Sequence, residues 1–390
     1  MWVTQAAQAV SPGEAVAVAE APLWGLGRVV MQEHPELECA LLDLESDAGD
    51  AAEALWRELC TADDEAQVAW RAGKRYVARL VKAKAKAGPA IPDAVSYQLQ
   101  TAHKGLLEHL RLVAAERRAP AAGEVEIQVE ASGLNFRDVL NALGMYPGEA
   151  GPLGAECAGV VVAVGAGVTH VAVGDAVMAL AKGAFCRFVT VDARLVAPQP
   201  AGLSMEQAAT LPVVFLTALY ALTDLGGLKA GERVLIHAAA GGVGMAAVQI
   251  ARWIGAEVFA TASPPKWDVV RAMGVEHVQN SRTLSFAEAF RTATQGQGVD
   301  VVLNALTGAF VDASAGLLCP GGRFLEMGKT DLRSASAMAS AYPGVLYRAF
   351  DLMDAGPERI MQLFGRLLEG FASGQLRPLP VRSFAMTDAE

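Results

Sequence analysis

Short apolar runs alternate regularly with amphipathic stretches between residues 206 and 345. The runs are rich in β-branched and aliphatic residues, as buried strands are, and the stretches between them have helical spacing. A parallel sheet requires this alternation of strand and helix. The pattern therefore predicts an α/β fold with a doubly wound parallel sheet over residues 206–345. Its predicted strands are Val234–His237, Glu257–Thr261, His277–Gln279, Val299–Asn304 and Gly322–Gly328.

A second pattern, in which Gly and Pro separate many short strands, begins at about Ser96 and predicts a partly open β-barrel. The segment LNFRDVLNALGMYPG (134–148) predicts a loop that continues as a helix, and Ser204–Gln207 predicts an N-capped helix start. We assign residues 94–205 to this domain, together with residues 346–390, which carry an amphipathic helix near Glu358–Glu369. The predicted strands are Tyr97–Gln100, Glu124–Ala131, Gly159–Gly165, Val173–Ala179 and Phe185–Val191.

Residues 1–90 are predicted to form a separate, small α/β unit. This part of the chain has no glycine fingerprint and no cluster of catalytic side chains, so we expect its role to be structural. A polar stretch with Lys82, Lys84, Lys86, Gly88 and Pro89 predicts a linker to the next domain. The predicted strands are Trp2–Thr4, Ala15–Ala19, Cys39–Leu44, Gln67–Arg71 and Arg75–Val81, and the predicted helices are Pro22–His34 and Ala51–Cys60.

The composition excludes several classes of protein. A chain of 390 residues that is 53% hydrophobic can bury two or three cores. Its longest apolar stretch, Leu211–Leu222, is broken by Pro212 and is too short to cross a bilayer, and no export signal is visible. Five cysteines without a CxxC pair indicate a reducing cytoplasm. The net charge of -10 argues against nucleic acid as the main partner.

The segment VLIHAAAGGVGMAAVQIA (234–251) carries the first sign of chemistry. Ala239, Gly241 and Gly244 have the spacing of the dinucleotide fingerprint of Rossmann-type domains, with Ala in the first position. Small residues allow the backbone to approach a pyrophosphate, and the N–H groups of Gly242 and Val243 then open a helix whose N-terminus attracts the anion. The turn lies between a predicted strand and a predicted helix, which is the context that the motif requires.

The choice of cofactor depends on the ends of the next two predicted strands. Sites that prefer NAD place Asp or Glu after the second strand, whereas this chain has Thr261, Ser263 and then Lys266. Ser281 and Arg282 follow the third strand, where a second cation would meet the same phosphate. Both features favour NADPH over NADH. The alternative is that both cations are simply solvated.

Six motifs together resemble one family. LNFRDVLNALGMYPG, HAAAGGVGMAAVQIA, TASPPKWDVVRAMG, NSRTL, NALTG and GRFLEMGKTDLR are similar to the enoyl reductase domain of modular (type I) polyketide synthases, which belongs to the zinc-independent medium-chain dehydrogenase/reductase superfamily. The likeness covers residues 94–390 and implies a GroES-like substrate domain beside the Rossmann domain. APLWGLGRVVMQEHPEL and CALLDLE resemble the later part of a ketoreductase structural subdomain. We expect the chain to be a fragment of a megasynthase, without the early strands of that subdomain and without the last helix and strand of the reductase.

No metal is expected at the site. Zinc-dependent relatives of the alcohol dehydrogenase type carry His before the glutamate of the segment that reads GPLGAECAG here, and Ala155 takes that place beside Glu156. Zinc sites need nitrogen and sulfur ligands, and no four-cysteine lobe is present. Cys157 is more simply explained as a small buried apolar residue.

The resemblance implies the reaction and its catalytic residues. Hydride passes from NADPH to C3 of an α,β-unsaturated thioester, and a proton is added at C2. By resemblance, Tyr146, Lys329 and Asp351 are the polar residues that face the nicotinamide. Tyr146 would donate the C2 proton, and a tyrosine there goes with the 2S configuration of an α-methyl branch. Lys329 would supply an acid or stabilise the enolate, and Asp351 would position Lys329 or relay a proton.

Four further residues are predicted to bind the cofactor. Asn304 ends a predicted strand and would reach the nicotinamide ribose or carboxamide, and Asn135 lies in a loop that would border the same ring; both also suit turns. Thr217, on the apolar helix Phe215–Leu222, resembles the family position that hydrogen-bonds the cofactor, and Gly328 ends the strand before Lys329. His237 is expected only to end its strand.

The expected partners are an acyl carrier protein with a phosphopantetheine-bound enoyl chain and neighbouring synthase domains such as ketoreductase and dehydratase. We expect no membrane partner. Two alternatives remain: a free-standing quinone or enone reductase of the same superfamily, and a structural module that binds NADPH but has lost turnover.

Overall fold

The computed structural model describes residues 1–11, 13–45, 51–61, 63–79 and 89–389. The chain divides into two compact units, Met1–Lys86 and Ala87–Glu390. The predicted linker residues Lys82, Lys84, Lys86 and Gly88 lie outside the described residues, as does the end of the predicted strand Arg75–Val81.

The first unit contains one four-stranded sheet of order β1-β2-β3-β4, in which β1 to β3 are parallel and β4 is antiparallel to β3. Leu42 and Val68 of the two central strands are buried in its core. The sheet agrees with the predicted α/β unit. Its elements are β1 Trp2–Gln5, α1 Ala21–Glu33, β2 Leu41–Leu44, α2 Ala51–Leu59, β3 Gln67–Arg71 and β4 Lys74–Val77.

The predicted strand Ala15–Ala19 is wrong. The segment makes one recorded backbone hydrogen bond to the β1 side, from the N–H of Ala17 to the carbonyl of Ala6 (2.6 Å), and then turns into α1. Its alternation of Ala and Val imitates a half-buried strand, but Val18 is 80% exposed. Alternation produces a strand only where a neighbouring strand completes the ladder.

The substrate domain is an antiparallel sheet of order β10-β7-β8-β9-β11 beside a hairpin of β5 and β6. The sheet curves over a core that contains Ile127, Val161 and Val177, and no closed barrel forms within the described residues. The elements are β5 Tyr97–Thr101, β6 Leu110–Ala114, β7 Glu124–Ser132, α3 Phe136–Ala142, β8 Glu156–Val164, β9 Ala176–Leu180, β10 Phe188–Asp192 and β11 Val196–Pro198.

Strand β6 was not predicted, although its sequence LRLVA alternates. Leu110 and Leu112 point inward and are 4% and 7% exposed, and they join the core of the hairpin. The helix expected within residues 134–148 is α3, and Asn135 occupies its N-cap position.

The cofactor domain is a parallel sheet of order β14-β13-β12-β15-β16-β17, with helices between the strands. The order reverses between β12 and β15, and ligands bind at such switch points. The elements of this domain and of the segment after it are α4 Met205–Ala208, α5 Pro212–Leu219, β12 Arg233–Ile236, α6 Gly242–Ile254, β13 Glu257–Ala262, α7 Trp267–Ala272, β14 His277–Asn280, α8 Ser285–Ala293, β15 Val299–Asn304, α9 Ala309–Ala315, β16 Leu318–Glu326, α10 Ala335–Ala341, β17 Leu346–Ala349 and α11 Pro357–Ala372.

Strand β17 extends this sheet past residue 345, where the sequence pattern placed its end. Its register pairs Arg323 with Leu346 and Glu326 with Ala349. The predicted boundary at residue 346 between the cofactor domain and the last part of the substrate domain is therefore corrected, because residues 346–349 belong to the parallel sheet. Further on, α11 covers the amphipathic segment that was predicted near 358–369.

One helical stretch, Met205–Leu225, is long and apolar enough to cross a membrane by length and composition alone. In the fold its apolar side chains lie in the main core, where Phe215, Leu216, Leu219 and Leu222 are completely buried. Its composition is that of a core helix.

Candidate active site

The turn between β12 and α6 has the form that a dinucleotide-binding turn needs. Ala238 adopts a left-handed conformation (φ 50°), and the N–H of Gly241 bonds the Ala238 carbonyl at 2.8 Å. A Cβ on Gly244 would lie 2.3 Å from the Ala238 carbonyl oxygen, so only glycine lets the helix approach this closely. Gly242 and Val243 begin α6, whose first N–H groups have no partner within the helix. Ala239 is fully buried beneath the turn.

The predicted cations lie at the carboxyl ends of β13 and β14. The two strands are in register there, and the N–H of Ser281 bonds the carbonyl of Ala262 at 3.1 Å. Ser263 precedes a short 3-10 turn that contains Lys266. The side chains of Lys266 and Arg282 are exposed, and no ion pair is recorded for either among the described residues. Two unpaired cations beside a helix N-terminus fit the extra phosphate of NADPH.

We expect Lys266→Ala to weaken NADPH binding about tenfold or more, because a charge-assisted hydrogen bond contributes roughly 1.5–3 kcal/mol. NADH affinity should hardly change. Titration of each cofactor by fluorescence measures both affinities. Lys229→Ala, which removes an exposed lysine before the amino end of β12, serves as the matched control. Equal losses for both cofactors would contradict the phosphate contact.

Thr261 does not reach the site surface. Its side chain is buried and its hydroxyl lies 2.8 Å from Nδ1 of His237, while Nε2 of His237 lies 2.7 Å from the hydroxyl of Ser314. Burial lowers the pKa of His237 to about 3, so the ring is neutral. Its carbonyl accepts from the N–H of Ala239 (3.0 Å), and a contact of Thr261 with the cofactor stays a prediction.

Asn135 is tied to a buried carboxylate. Its Nδ2 donates to Oε1 of Glu156 at 2.8 Å, and Oε2 of Glu156 accepts from the N–H of Val213 at 2.7 Å. Glu156 is 2% exposed, and burial raises its pKa to about 7. The carboxylate thus links the loop before α3 to the first turn of α5. Thr217 lies further along α5, half-buried, and its hydroxyl has no recorded partner among the described residues.

Asn304 is bound in the same way. Its Nδ2 donates to Oε2 of Glu326 (2.6 Å) and to the carbonyl of Leu306 (2.8 Å), and its Oδ1 accepts from the N–H of Leu306. The side chain is fully buried in this conformation, and the expected contact with the nicotinamide ribose or carboxamide stays a prediction. Gly328 donates its N–H to Oε1 of Glu326 at 2.7 Å.

Lys329 and Asp351 form an ion pair where β16 and β17 end. The Lys329 ammonium lies 3.1 Å from Oδ2 of Asp351 and donates to the Phe350 carbonyl at 2.8 Å. Burial works to raise the pKa of Asp351, but the N–H of Met353 and the charge of Lys329 lower it further than that, so Asp351 is ionised at neutral pH. The pair therefore persists at neutral pH.

Arg137 contacts the ring of Tyr146. The guanidinium of Arg137 lies 5.2 Å from the centre of the Tyr146 ring and donates to the carbonyl of Ala150 at 2.7 Å. Its charge also contributes to the lowered pKa of Asp351, after burial and the contacts of that carboxylate with Met353 and Lys329. The predicted catalytic residues come from three distant parts of the sequence; Lys329 and Asp351 are in contact, and a shared site with Tyr146 stays a prediction.

A cavity of about 800 Å³ begins beside the loop and helix that carry Asn135 and Arg137. Its wall is mainly apolar and includes Leu134, Val139 and Phe185. Tyr146, Lys329 and Asp351 are not among the residues that line it.

Within the described residues, no group of three or more His, Cys, Asp or Glu side chains could hold a metal ion. Cys157 is completely buried, and burial raises the pKa of its thiol far above the usual range. A reaction without a metal stays a prediction.

Three family models match the chain. Residues 242–349 match a zinc-binding dehydrogenase domain, residues 121–201 an alcohol dehydrogenase GroES-like domain, and residues 1–80 the Rossmann fold domain of the polyketide synthase extender module SpnB. These matches confirm the Rossmann and GroES-like domains and place the first unit with polyketide synthases.

A similar curated protein is the pikromycin polyketide synthase component PikAII of Streptomyces venezuelae, which is 47% identical over 428 residues. The match covers 98% of this chain, and the chain spans 11% of the length of that relative. Among solved structures, CurK enoyl reductase is 44% identical with a TM-score of 0.72, over 75% of this chain and 93% of that one. Escherichia coli quinone oxidoreductase complexed with NADPH is 28% identical with a TM-score of 0.68, over 75% and 94%.

CurK carries the family assignment, because this chain covers nearly all of that enoyl reductase at 44% identity. The match to PikAII and the SpnB-type first unit add the polyketide synthase context. The chain belongs to the enoyl reductases of modular polyketide synthases, within the medium-chain dehydrogenase/reductase superfamily.

Proposed function

We propose that the chain reduces the α,β-double bond of an enoyl thioester with NADPH while the acyl chain is attached to an acyl carrier protein. One observation carries the catalytic part of the proposal. The ion pair of Lys329 and Asp351 stands where two adjacent parallel strands end, which is the edge of the sheet where ligands bind. Arg137, which lies 5.2 Å from the centre of the Tyr146 ring, also contributes to the lowered pKa of Asp351, after burial and the contacts with Met353 and Lys329.

Bound NADPH would supply hydride to C3 of the substrate. The residues that fit it are the turn at Gly241–Gly244, for the pyrophosphate, and Lys266 with Arg282, for the 2′-phosphate. The half-buried hydroxyl of Thr217 is available for a further polar contact. Asn135 contributes indirectly, since its side chain fixes the loop beside α3 through Glu156.

The protein must also supply a proton at C2 and stabilise the enolate. The Lys329 ammonium can do either, because it is charged, partly exposed and held in place by Asp351 and the Phe350 carbonyl. The phenol of Tyr146 is the second candidate acid, and Arg137 holds its ring from one side. Asp351 positions Lys329 and does not itself need to carry a proton.

The apolar cavity beside α3 would hold the acyl chain. The partners would be the acyl carrier protein and neighbouring synthase domains such as the ketoreductase and dehydratase. We place this reaction in the cytoplasm, with the remainder of the synthase.

The test is an assay of NADPH oxidation by the whole chain. We expect turnover with crotonyl-pantetheine, faster turnover with a crotonyl-carrier protein, and much slower turnover with a small quinone. Reduction of the quinone in preference to both thioesters would identify a free-standing quinone or enone reductase instead. Binding of NADPH without oxidation in the presence of either thioester would identify a structural module.

A further inference from the structure

Glu326 is the last residue of β16 and is buried at the end of the strand, 1% exposed. Its Oε1 accepts from the N–H of Gly328 at 2.7 Å and its Oε2 from Nδ2 of Asn304 at 2.6 Å. Within the described residues no cation forms an ion pair with it. A buried carboxylate without a paired cation is costly, so a neutral side chain would be the simpler occupant if only stability mattered here.

Glu326 contacts both sides of the hydrogen bond between the Lys329 ammonium and the Phe350 carbonyl. Through Gly328, its side chain fixes the residue that immediately precedes Lys329. Its backbone carbonyl accepts from the N–H of Phe350 at 3.1 Å, and the carbonyl of Phe350 is the one that receives the Lys329 ammonium. Glu326 therefore contacts both the backbone next to Lys329 and the residue that accepts the Lys329 ammonium.

We propose that Glu326 is a positioning residue that holds Lys329 in the catalytic geometry, with Asn304 as the group that orients the carboxylate. This inference rests on the proposed function for its effect on turnover. It concerns residues that lie in register at the ends of β15 and β16, where Asn304 pairs with Glu326.

The geometry suits an ionised carboxyl group at this position, although burial raises the pKa of Glu326 to about 7. Two donors, the Asn304 amide and the Gly328 N–H, face two acceptor oxygens, whereas a glutamine would offer one oxygen and one NH₂ group. The Asn304 amide cannot simply rotate to accommodate it, because its Oδ1 and Nδ2 also bond Leu306. The approach of Gly328 is equally tight, since a Cβ there would lie 2.7 Å from Oε1 of Glu326.

The first test is Glu326→Gln in the whole chain. We expect kcat for the enoyl thioester to fall about tenfold or more, because a displacement near 1 Å at a catalytic group can cost about a hundredfold. NADPH affinity, measured by fluorescence titration, should change little. Glu276→Gln, the same substitution at an exposed carboxylate before the amino end of β14, should leave kcat unchanged. An unchanged kcat in Glu326→Gln would overturn the proposal.

A double-mutant cycle separates positioning from a general loss of structure. If Glu326 acts through Lys329, the variant with both Glu326→Gln and Lys329→Ala should be no slower than Lys329→Ala alone. Independent, multiplying losses would mean that Glu326 acts elsewhere and would overturn the inference. A Lys329→Ala variant as fast as the original protein would instead remove Lys329 from the proposed function.

A chemical measurement decides the positioning even in that last case. With limiting acetic anhydride and mass spectrometry, Lys329 should be acetylated faster in Glu326→Gln than in the original protein, relative to Lys229 in the same sample. Asn304→Ala removes the donor at Oε2 and should show the same increase, so it serves if Glu326→Gln does not fold. Unchanged Lys329 acetylation would overturn the inference.

Discussion

Lys329→Ala should lower kcat for enoyl thioester reduction about a hundredfold, since a positioned acid contributes about 10²- to 10⁴-fold. The substitution removes the ammonium that Asp351 and the Phe350 carbonyl hold at the carboxyl end of the parallel sheet. Steady-state kinetics with a crotonyl-carrier protein measure the loss, and a fluorescence titration should show nearly unchanged NADPH affinity. A rise in KM with unchanged kcat would mean that Lys329 only binds substrate.

Two variants sharpen this expectation. Lys229→Ala, at an exposed lysine before the amino end of β12, should leave kcat unchanged.

Tyr146→Phe keeps the ring that Arg137 contacts and removes only the phenol O–H. Hydride transfer should remain measurable in it, because Lys329 or water can supply the proton. The product of an α-methyl enoyl thioester should then have mixed or inverted configuration at C2. If the turnover rate and the C2 configuration are both unchanged in Tyr146→Phe, Tyr146 only lines the pocket and does not donate the proton.

The order of the elements in the cofactor domain could be predicted because buried parallel strands leave a strong signal in the sequence. Each of the five predicted strands corresponds to an observed one, from β12 to β16. Strand β17 escaped notice, because Leu346–Ala349 is a short edge strand in which Leu346 is 56% exposed and the apolar run is missing. Short edge strands follow the pairing of the sheet and carry little pattern of their own.

The site was harder to predict than the fold. Residues with a distinctive motif lie in the expected elements: Gly244 is in the first turn of α6 after β12, and Lys266 is in the short 3-10 turn after β13. For Asn304 the sequence indicated the position but not the direction of the side chain, which depends on a carboxylate 22 residues away.

Glu156 and Glu326 were missed, although a signal exists for both. Each is a lone glutamate at one end of a strand whose neighbours are apolar, in ECAGVVVAV and in the FLE end of β16. Glutamate is rarely buried unless it is paired or hydrogen-bonded. Its presence at such positions therefore marks a place where the fold needs two acceptor oxygens, as both residues show.

Asp43 is the corresponding group in the first unit, and it is completely buried. Oδ1 accepts from the Thr4 hydroxyl (2.6 Å) and the Ala7 N–H (2.8 Å), and Oδ2 from the Gln8 N–H (3.1 Å). Oδ2 also accepts from the Arg71 guanidinium at 2.6 Å, and Arg71 is only 8% exposed. The carboxylate thus joins β1, the segment after it, β2 and β3 at one point.

Asp43→Ala should destabilise the first unit by about 1–3 kcal/mol, because the buried N–H of Ala7 loses its acceptor and Arg71, which still pairs with Glu14, loses one of its two carboxylate partners. Hydrogen exchange of the whole chain, read by mass spectrometry, should show lost protection at Leu41–Leu44 and Gln67–Arg71. Asp64→Ala, at an exposed carboxylate with no recorded partner in the described part of the unit, should change stability by less than about 0.5 kcal/mol. Binding of one NADPH per chain should survive in both variants, since the glycine turn lies in the other unit. Full protection of both segments in Asp43→Ala would show that the strands do not depend on this carboxylate.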